Sequence, residues 1–207
     1  MAGSLPVGSG VPDILLASWQ PAVLSLATIS VPIVDILAYL RVVPRAKNGT
    51  IAARLRESER STLRKMELLG EVQKDWFSLS EEWRHVLSDV IAIEVKVSDW
   101  RGVLAQASRN SIFAHKSFVA MPERQAHKLV KLPMTRELGI GILSVARDGS
   151  VTLVKKARRR QPTVWSYYYQ IASVLASEIG GKGALRRASR GGARTLSRPS
   201  VRSATAA

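Results

Sequence analysis

The order of apolar and polar positions changes period several times along this chain, and each change marks an element. In "IAIEVKVSDW" (91–100), Ile91, Ile93, Val95 and Val97 alternate with Ala92, Glu94, Lys96 and Ser98. Successive side chains of a strand point to opposite faces, so the alternation predicts a strand over about 90–97 with Glu94 and Lys96 on one face. "KSFVAMP" (116–122) predicts another strand, stopped by Pro122. "GIGILSVARDGSVTLVKKA" predicts a hairpin, with strands at 140–146 and 151–155 joined by the turn "RDGS". "PIVDILAYLRVV" (32–43) has the β-branched and aromatic content expected of a core strand, and "PRAKNGT" after it is turn chemistry.

Elsewhere the period is helical. "SERSTLRKMELLGEVQ" offers Ser58 and Ser61 as caps and spaces Leu63, Met66, Leu68 and Leu69 for a helix. "SLSEEWRHVL" predicts a second helix, capped by Ser78 or Ser80, with Glu81 and Glu82 in the first turn where the dipole favours them. In "DWRGVLAQASRNSIF", Ser98 or Asp99 caps a helix whose apolar stripe is Trp100, Val103, Leu104 and Ala107. Gln106 and Asn110 lie one turn apart beside that stripe. "ERQAHKLVKL" predicts a short helix, residues 13–29 a short helix on either side of Pro21, and "TVWSYYYQIASVLASEIG" a closing helix ended by Gly180 and Gly181.

The expected fold class is α/β: a small mixed β-sheet flanked by helices. Residues 1–30 form an N-terminal segment, loose at its start, and 31–179 an α/β domain with a helical insertion at about 44–88. Residues 180–207 carry basic side chains and no acid, which predicts a disordered basic C-terminal tail.

Composition narrows the chemistry. The 207 residues are 46% hydrophobic, enough for a real core, and 31 Lys+Arg against 16 Asp+Glu give a net charge of +15. Such an excess favours polyanions, because each neutralised phosphate releases condensed counterions. The chain has no cysteine, which excludes a disulfide framework, a thiolate zinc site and a Cys nucleophile. His85, His115 and His127 show no metal-ligand spacing, so any metal is a hard, oxygen-ligated cation. Residues 14–43 are apolar, but Pro21, Pro32 and Asp35 interrupt them, and the N-terminus lacks the basic region of a secretory signal; a cytoplasmic protein is expected.

The succession of an apolar strand bearing Glu94-x-Lys96, a helix bearing Gln106 in "IEVKVSDWRGVLAQASRN", and the strand in "FAHKSFVAMP" closely resembles the PD-(D/E)XK nuclease-like superfamily, the restriction-endonuclease-like fold. The resemblance covers about residues 90–155. It implies a nuclease that hydrolyses DNA phosphodiester bonds with Mg²⁺ or Mn²⁺. An acid on an earlier strand and Glu94 would hold the cation, Lys96 would position or activate the attacking water, and Gln106 would support the site. A hard cation lowers the pKa of bound water and stabilises charge on the scissile phosphate, and a nearby ammonium acts on the same charge. For the first acid Asp35 is favoured, with Asp89 and Asp13 as alternatives; Asp13 supplies the letters Pro-Asp in "VPDILL". Where some branches place a Tyr four residues after the Gln, this chain has Asn110.

Other residues have plainer readings. Trp100 is expected as a core anchor, His115 as structural, and some rings of "WSYYYQ" (165–170) as core. Lys155, Lys156, Arg158, Arg159 and Arg160 in "KKARRRQ" are dense enough for a phosphate-contacting patch. A catalytically inactive nucleic-acid-binding or regulatory protein of the same fold is the alternative function. Association of residues 14–34 and the tail with anionic lipid is a third.

Overall fold

The computed structural model describes residues 12–28, 31–66, 72–73 and 75–188. In chain order it opens with strand β1 (Ile14–Trp19), a 3-10 helix (Pro21–Thr28) and helix α1 (Val31–Val42). The middle segment holds β2 (Ala46–Lys47), α2 (Asn48–Ala52), α3 (Glu57–Met66), β3 (Val72–Gln73), β4 (Trp76–Phe77) and α4 (Glu81–Arg84). Then follow β5 (Leu87–Val95), α5 (Trp100–Asn110), β6 (Lys116–Pro122), α6 (Glu123–Val130), α7 (Pro133–Glu137), β7 (Gly141–Val145), β8 (Val151–Lys155) and α8 (Trp165–Ala188).

The protein is mixed α/β, with a five-stranded mixed sheet flanked by helices. The strand order is β1-β5-β6-β7-β8. β5, β6 and β7 are parallel, and the edge strands β1 and β8 run antiparallel to their neighbours. Parallel neighbours need a crossover, and α5 supplies it between β5 and β6 while α6 and α7 supply it between β6 and β7. The Asp99 carboxylate accepts from the Gly102 N–H at 2.9 Å and caps α5 at its start, as its position before the apolar stripe predicts.

Two apolar clusters hold the molecule. One joins Val103, Leu104 and Ala107 of α5, Val119 and Met121 of β6, and Leu129 of α6. The other gathers α1, the 3-10 helix and α8 against Leu87, Val90 and Ala92 of β5. Tyr168 and Tyr169 are fully buried there. The Tyr168 hydroxyl accepts from the Leu87 N–H at 2.7 Å and donates to the Leu87 carbonyl at 2.8 Å, and Tyr169 donates to the Trp83 carbonyl at 2.7 Å. These two rings are core, and burial raises both phenols above their ordinary range. The other face of the sheet leaves Ile14, Leu16, Val95, Val151 and Leu153 exposed.

Several expected elements differ. The segment expected as a strand over 32–43 is helix α1 up to Val42: Ile33, Ile36, Leu37 and Leu40 recur at helical spacing and are all buried. Pro32 falls in the first turn, where no intrahelical N–H is needed. The helix expected over 13–29 is a strand followed by a 3-10 helix, because β1 finds a ladder along the free edge of β5. The sheet therefore begins inside the segment set apart as 1–30. The insertion at 44–88 is not wholly helical; β2, β4 and β3 form a small sheet within it. The closing helix runs through Gly180 and Gly181 to Ala188 rather than ending there. The rest of the basic tail, from residue 189, lies outside the described residues, as do Leu68 and Leu69. No described helix is long and apolar enough to cross a membrane.

Candidate metal and phosphate site

β5 delivers Glu94 and Lys96 at its C-terminal end, where α5 turns back over the sheet. Glu94 is 4% exposed, and its Oε1 accepts from Asn110 Nδ2 at 2.7 Å. A carboxylate removed from water needs such a partner, since a buried charge without one is strongly unfavourable. Lys96 continues the strand geometry by one residue, donating its backbone N–H to the Ala120 carbonyl at 3.1 Å. Its side chain remains about one-third exposed.

The register of the β1–β5 pair brings in an acid. Ile14 stands opposite Ile93, so Asp13 stands opposite Glu94. Asp13 Oδ2 accepts from the Val95 N–H at 2.7 Å and lies 3.9 Å from Lys96 Nζ. The alternatives are elsewhere. Asp35 is exposed on α1, a helix that packs against α8, so the strand position given to it is corrected by the fold. Asp89 occupies the opposite end of β5, 2.6 Å from Lys116 Nζ and 3.7 Å from Arg159 Nε.

Gln106 lies one turn before Asn110 on α5, about 6 Å nearer the helix start. Its Oε1 is out of water and has no hydrogen-bond partner among the described residues. An unmet buried acceptor of this kind costs roughly 1–3 kcal/mol, so the site favours a donor or cation in front of it. The donors available at this end are all hard oxygens: Asp13, Glu94 and the Gln106 amide. That set suits Mg²⁺ or Mn²⁺ rather than a thiolate- or imidazole-loving metal. Among the described residues no group of three or more His, Asp or Glu gathers, but Mg²⁺ is commonly held by one or two carboxylates completed by water and substrate phosphate.

The basic run lies at the other end of the sheet. The segment crosses beneath the starts of β7, β6 and β5: the Arg158 N–H donates to the Gly139 carbonyl at 2.8 Å, the Arg160 N–H to His115 at 2.9 Å, and Arg159 Nη2 to Ser88 at 2.8 Å. Arg160 Nη2 also reaches the Glu137 carbonyl at 3.3 Å, and Lys155 Nζ donates to the Thr135 carbonyl. Burial, and then the charges of Arg136 and Arg158, lower the Lys155 ammonium from its ordinary value. Three of the five cations therefore also make hydrogen bonds within the fold at this edge, and all but Lys155 are exposed.

His115 sits in the same region, 4% exposed, with Nδ1 accepting from the Val90 N–H at 3.0 Å. Burial, followed by the positive charge of Arg159, lowers it to about 4, so it is neutral at pH 7. Its hydrogen bond and burial tie β5 to the start of β6.

Asn110 is the contact that sequence reasoning undervalued. Its spacing from Gln106 was visible, but the hydrogen bond to Glu94 depends on how far α5 folds back along β5. No family model matches this chain, and no curated protein matches it. Among solved structures it is similar to a protein of unknown function from Silicibacter pomeroyi, with 17% identity over 50% of this chain and 67% of that one and a TM-score of 0.34.

Proposed function

We propose that this chain is a metal-dependent nuclease that hydrolyses phosphodiester bonds in DNA, with Asp13, Glu94 and Lys96 as its reacting site. The observation that carries this reading is the meeting of Asp13, distant in sequence, with the Glu94–Lys96 pair at one strand end. Asp13, the residue just before β1, stands across from the acid of E-x-K, and the lysine lies 3.9 Å from it. A cation bound there would lower the pKa of a water and offset charge on the phosphate. Asp13 and Glu94 would hold it, in the place where Asp35 was expected to act.

The chain's own groups have distinct tasks. Asn110 keeps the Glu94 carboxylate oriented by occupying Oε1. Lys96 is a mobile point charge that reaches a phosphate oxygen as charge develops, which favours the transition state over the ground state. The Gln106 carbonyl oxygen, without a hydrogen-bond partner among the described residues, accepts from a water. The net charge of +15 draws the polyanion to the molecule.

Cleavage of supercoiled, linear and single-stranded DNA with Mg²⁺ or Mn²⁺ tests this. Nicking that requires metal and is lost in Glu94→Gln and Lys96→Ala supports the nuclease. The second reading, a binding protein without catalysis, is favoured by the depth of Glu94 and its occupied Oε1. It predicts salt-sensitive DNA binding that neither metal nor those substitutions alter.

A further inference from the structure

Between the start of α5 and α6 lies a cavity of about 210 Å³, lined by Trp100, Gln125, Lys128, Leu129 and Leu132. Drug-sized ligands usually fill ~300–1,000 Å³, so this one takes a single planar ring system or one side chain. Its chemistry selects between them. The walls are almost wholly apolar, an indole and two leucines; Gln125 and Lys128 complete the lining, and no carboxylate joins it. A second cation adjoins one wall, the Arg101 guanidinium lying over the Trp100 ring, 4.3 Å from its centroid. Both Arg101 and Lys128 are exposed, and Trp100, expected as a core anchor, is only partly buried.

An apolar peptide side chain would use the walls and leave both cations and the Gln125 amide without a role. A nucleobase with its phosphates uses all of them. The ring packs on Trp100 and the leucines, the Gln125 amide both donates to and accepts from the base edge, and the cations meet phosphate. Position agrees, because Trp100 follows Lys96 by four residues and so opens the cavity at the Glu94 end of the sheet.

We propose that this cavity takes one unpaired base of a nucleic-acid strand, with Arg101 and Lys128 on the adjoining phosphates. The base must be unpaired, since a ring stacked within a duplex has no free face to enter a pocket. The assignment rests on nucleic acid being the ligand, as proposed above, and not on hydrolysis at Glu94.

The test is anisotropy of a fluorescein-labelled short single-stranded oligothymidylate, against an abasic deoxyribose-phosphate chain of equal length, at fixed salt and without divalent metal. Wild type is expected to bind the base-bearing strand more tightly. Trp100→Ala weakens that strand roughly 5- to 100-fold, the range of one base stacked on an aromatic ring, and leaves the abasic strand unchanged. Leu132→Trp, which fills the cavity without removing a wall, gives the same selective loss. Lys128→Gln weakens both strands and lessens the salt dependence. Equal affinity for the two strands, wild-type affinity in Trp100→Ala and Leu132→Trp, or no binding of either strand overturns the proposal. Base-dependent binding that persists in a protein unable to cleave DNA leaves the cavity assignment standing while the nuclease reading fails. Cleavage without any effect of Trp100 does the reverse.

Discussion

Acidification acts on this fold through His115. Its imidazole is 4% exposed, accepts the Val90 N–H at 3.0 Å, and meets the edge of Tyr168 with ring centroids 6.0 Å apart. Burial opposes a charge on it most, Arg159, Lys116 and His85 oppose it further, and Asp89 alone favours one. The folded protein therefore takes up this proton near pH 4 instead of 6.5. Between those values the unfolded chain binds a proton that the folded chain does not. The stabilisation is complete above pH 6.5 and is lost as pH falls towards 4. At about 1.36 kcal/mol per pH unit within the window, the loss is ~2 kcal/mol at pH 5 and ~3 kcal/mol in all. Denaturant unfolding from pH 7.5 to 4 measures it, with His115→Asn as the control. The Asn Oδ1 takes the place of Nδ1 as acceptor but carries no titrating proton, so the pH dependence of the variant is shallower by that amount. Equal slopes for wild type and variant, or an imidazole NMR titration centred near 6.5, would refute the reasoning.

Two further substitutions read out packing and pairing. Asn110→Ala leaves the buried Glu94 without its 2.7 Å partner, and should lower stability by ~1–3 kcal/mol in denaturant titration, an effect that Asn110→Gln does not reproduce if the amide still reaches. Gly141→Ala places a Cβ 2.3 Å from the Phe118 ring and 2.9 Å from the Ala157 nitrogen, so it should cost ~1–3 kcal/mol by overpacking, with partial recovery in the Phe118→Leu background.

The half of the chain from β5 onward was legible because its elements are short-range. Alternation at 91–97, the proline that ends β6, Asp99 before an apolar stripe and "RDGS" between two strands are each local signals, and β6 occupies the expected 116–122. The first half was not, for two reasons. In residues 32–43 β-branched composition and helical spacing disagreed, and spacing prevailed because α1 buries one broad face against α8. β1 has no local partner among the described residues; its ladder is with a strand about seventy residues away. That one long-range register decides the candidate site. Glu94 and Lys96 share a strand face by simple alternation, but nothing near Asp13 in sequence shows that it stands opposite Glu94. The basic run shows the converse limit. Its charge density is plain in "KKARRRQ", yet the backbone carbonyls that engage Lys155, Arg159 and Arg160 come from Thr135, Ser88 and Glu137.

The most direct measurement is Mg²⁺-dependent nicking of supercoiled DNA by Asp13→Asn and Asp35→Asn, set beside wild type and Glu94→Gln. The proposed site predicts that Asp13→Asn and Glu94→Gln lose nicking together while Asp35→Asn retains it. Undiminished nicking by Asp13→Asn, or no metal-dependent nicking by the wild type, would contradict it.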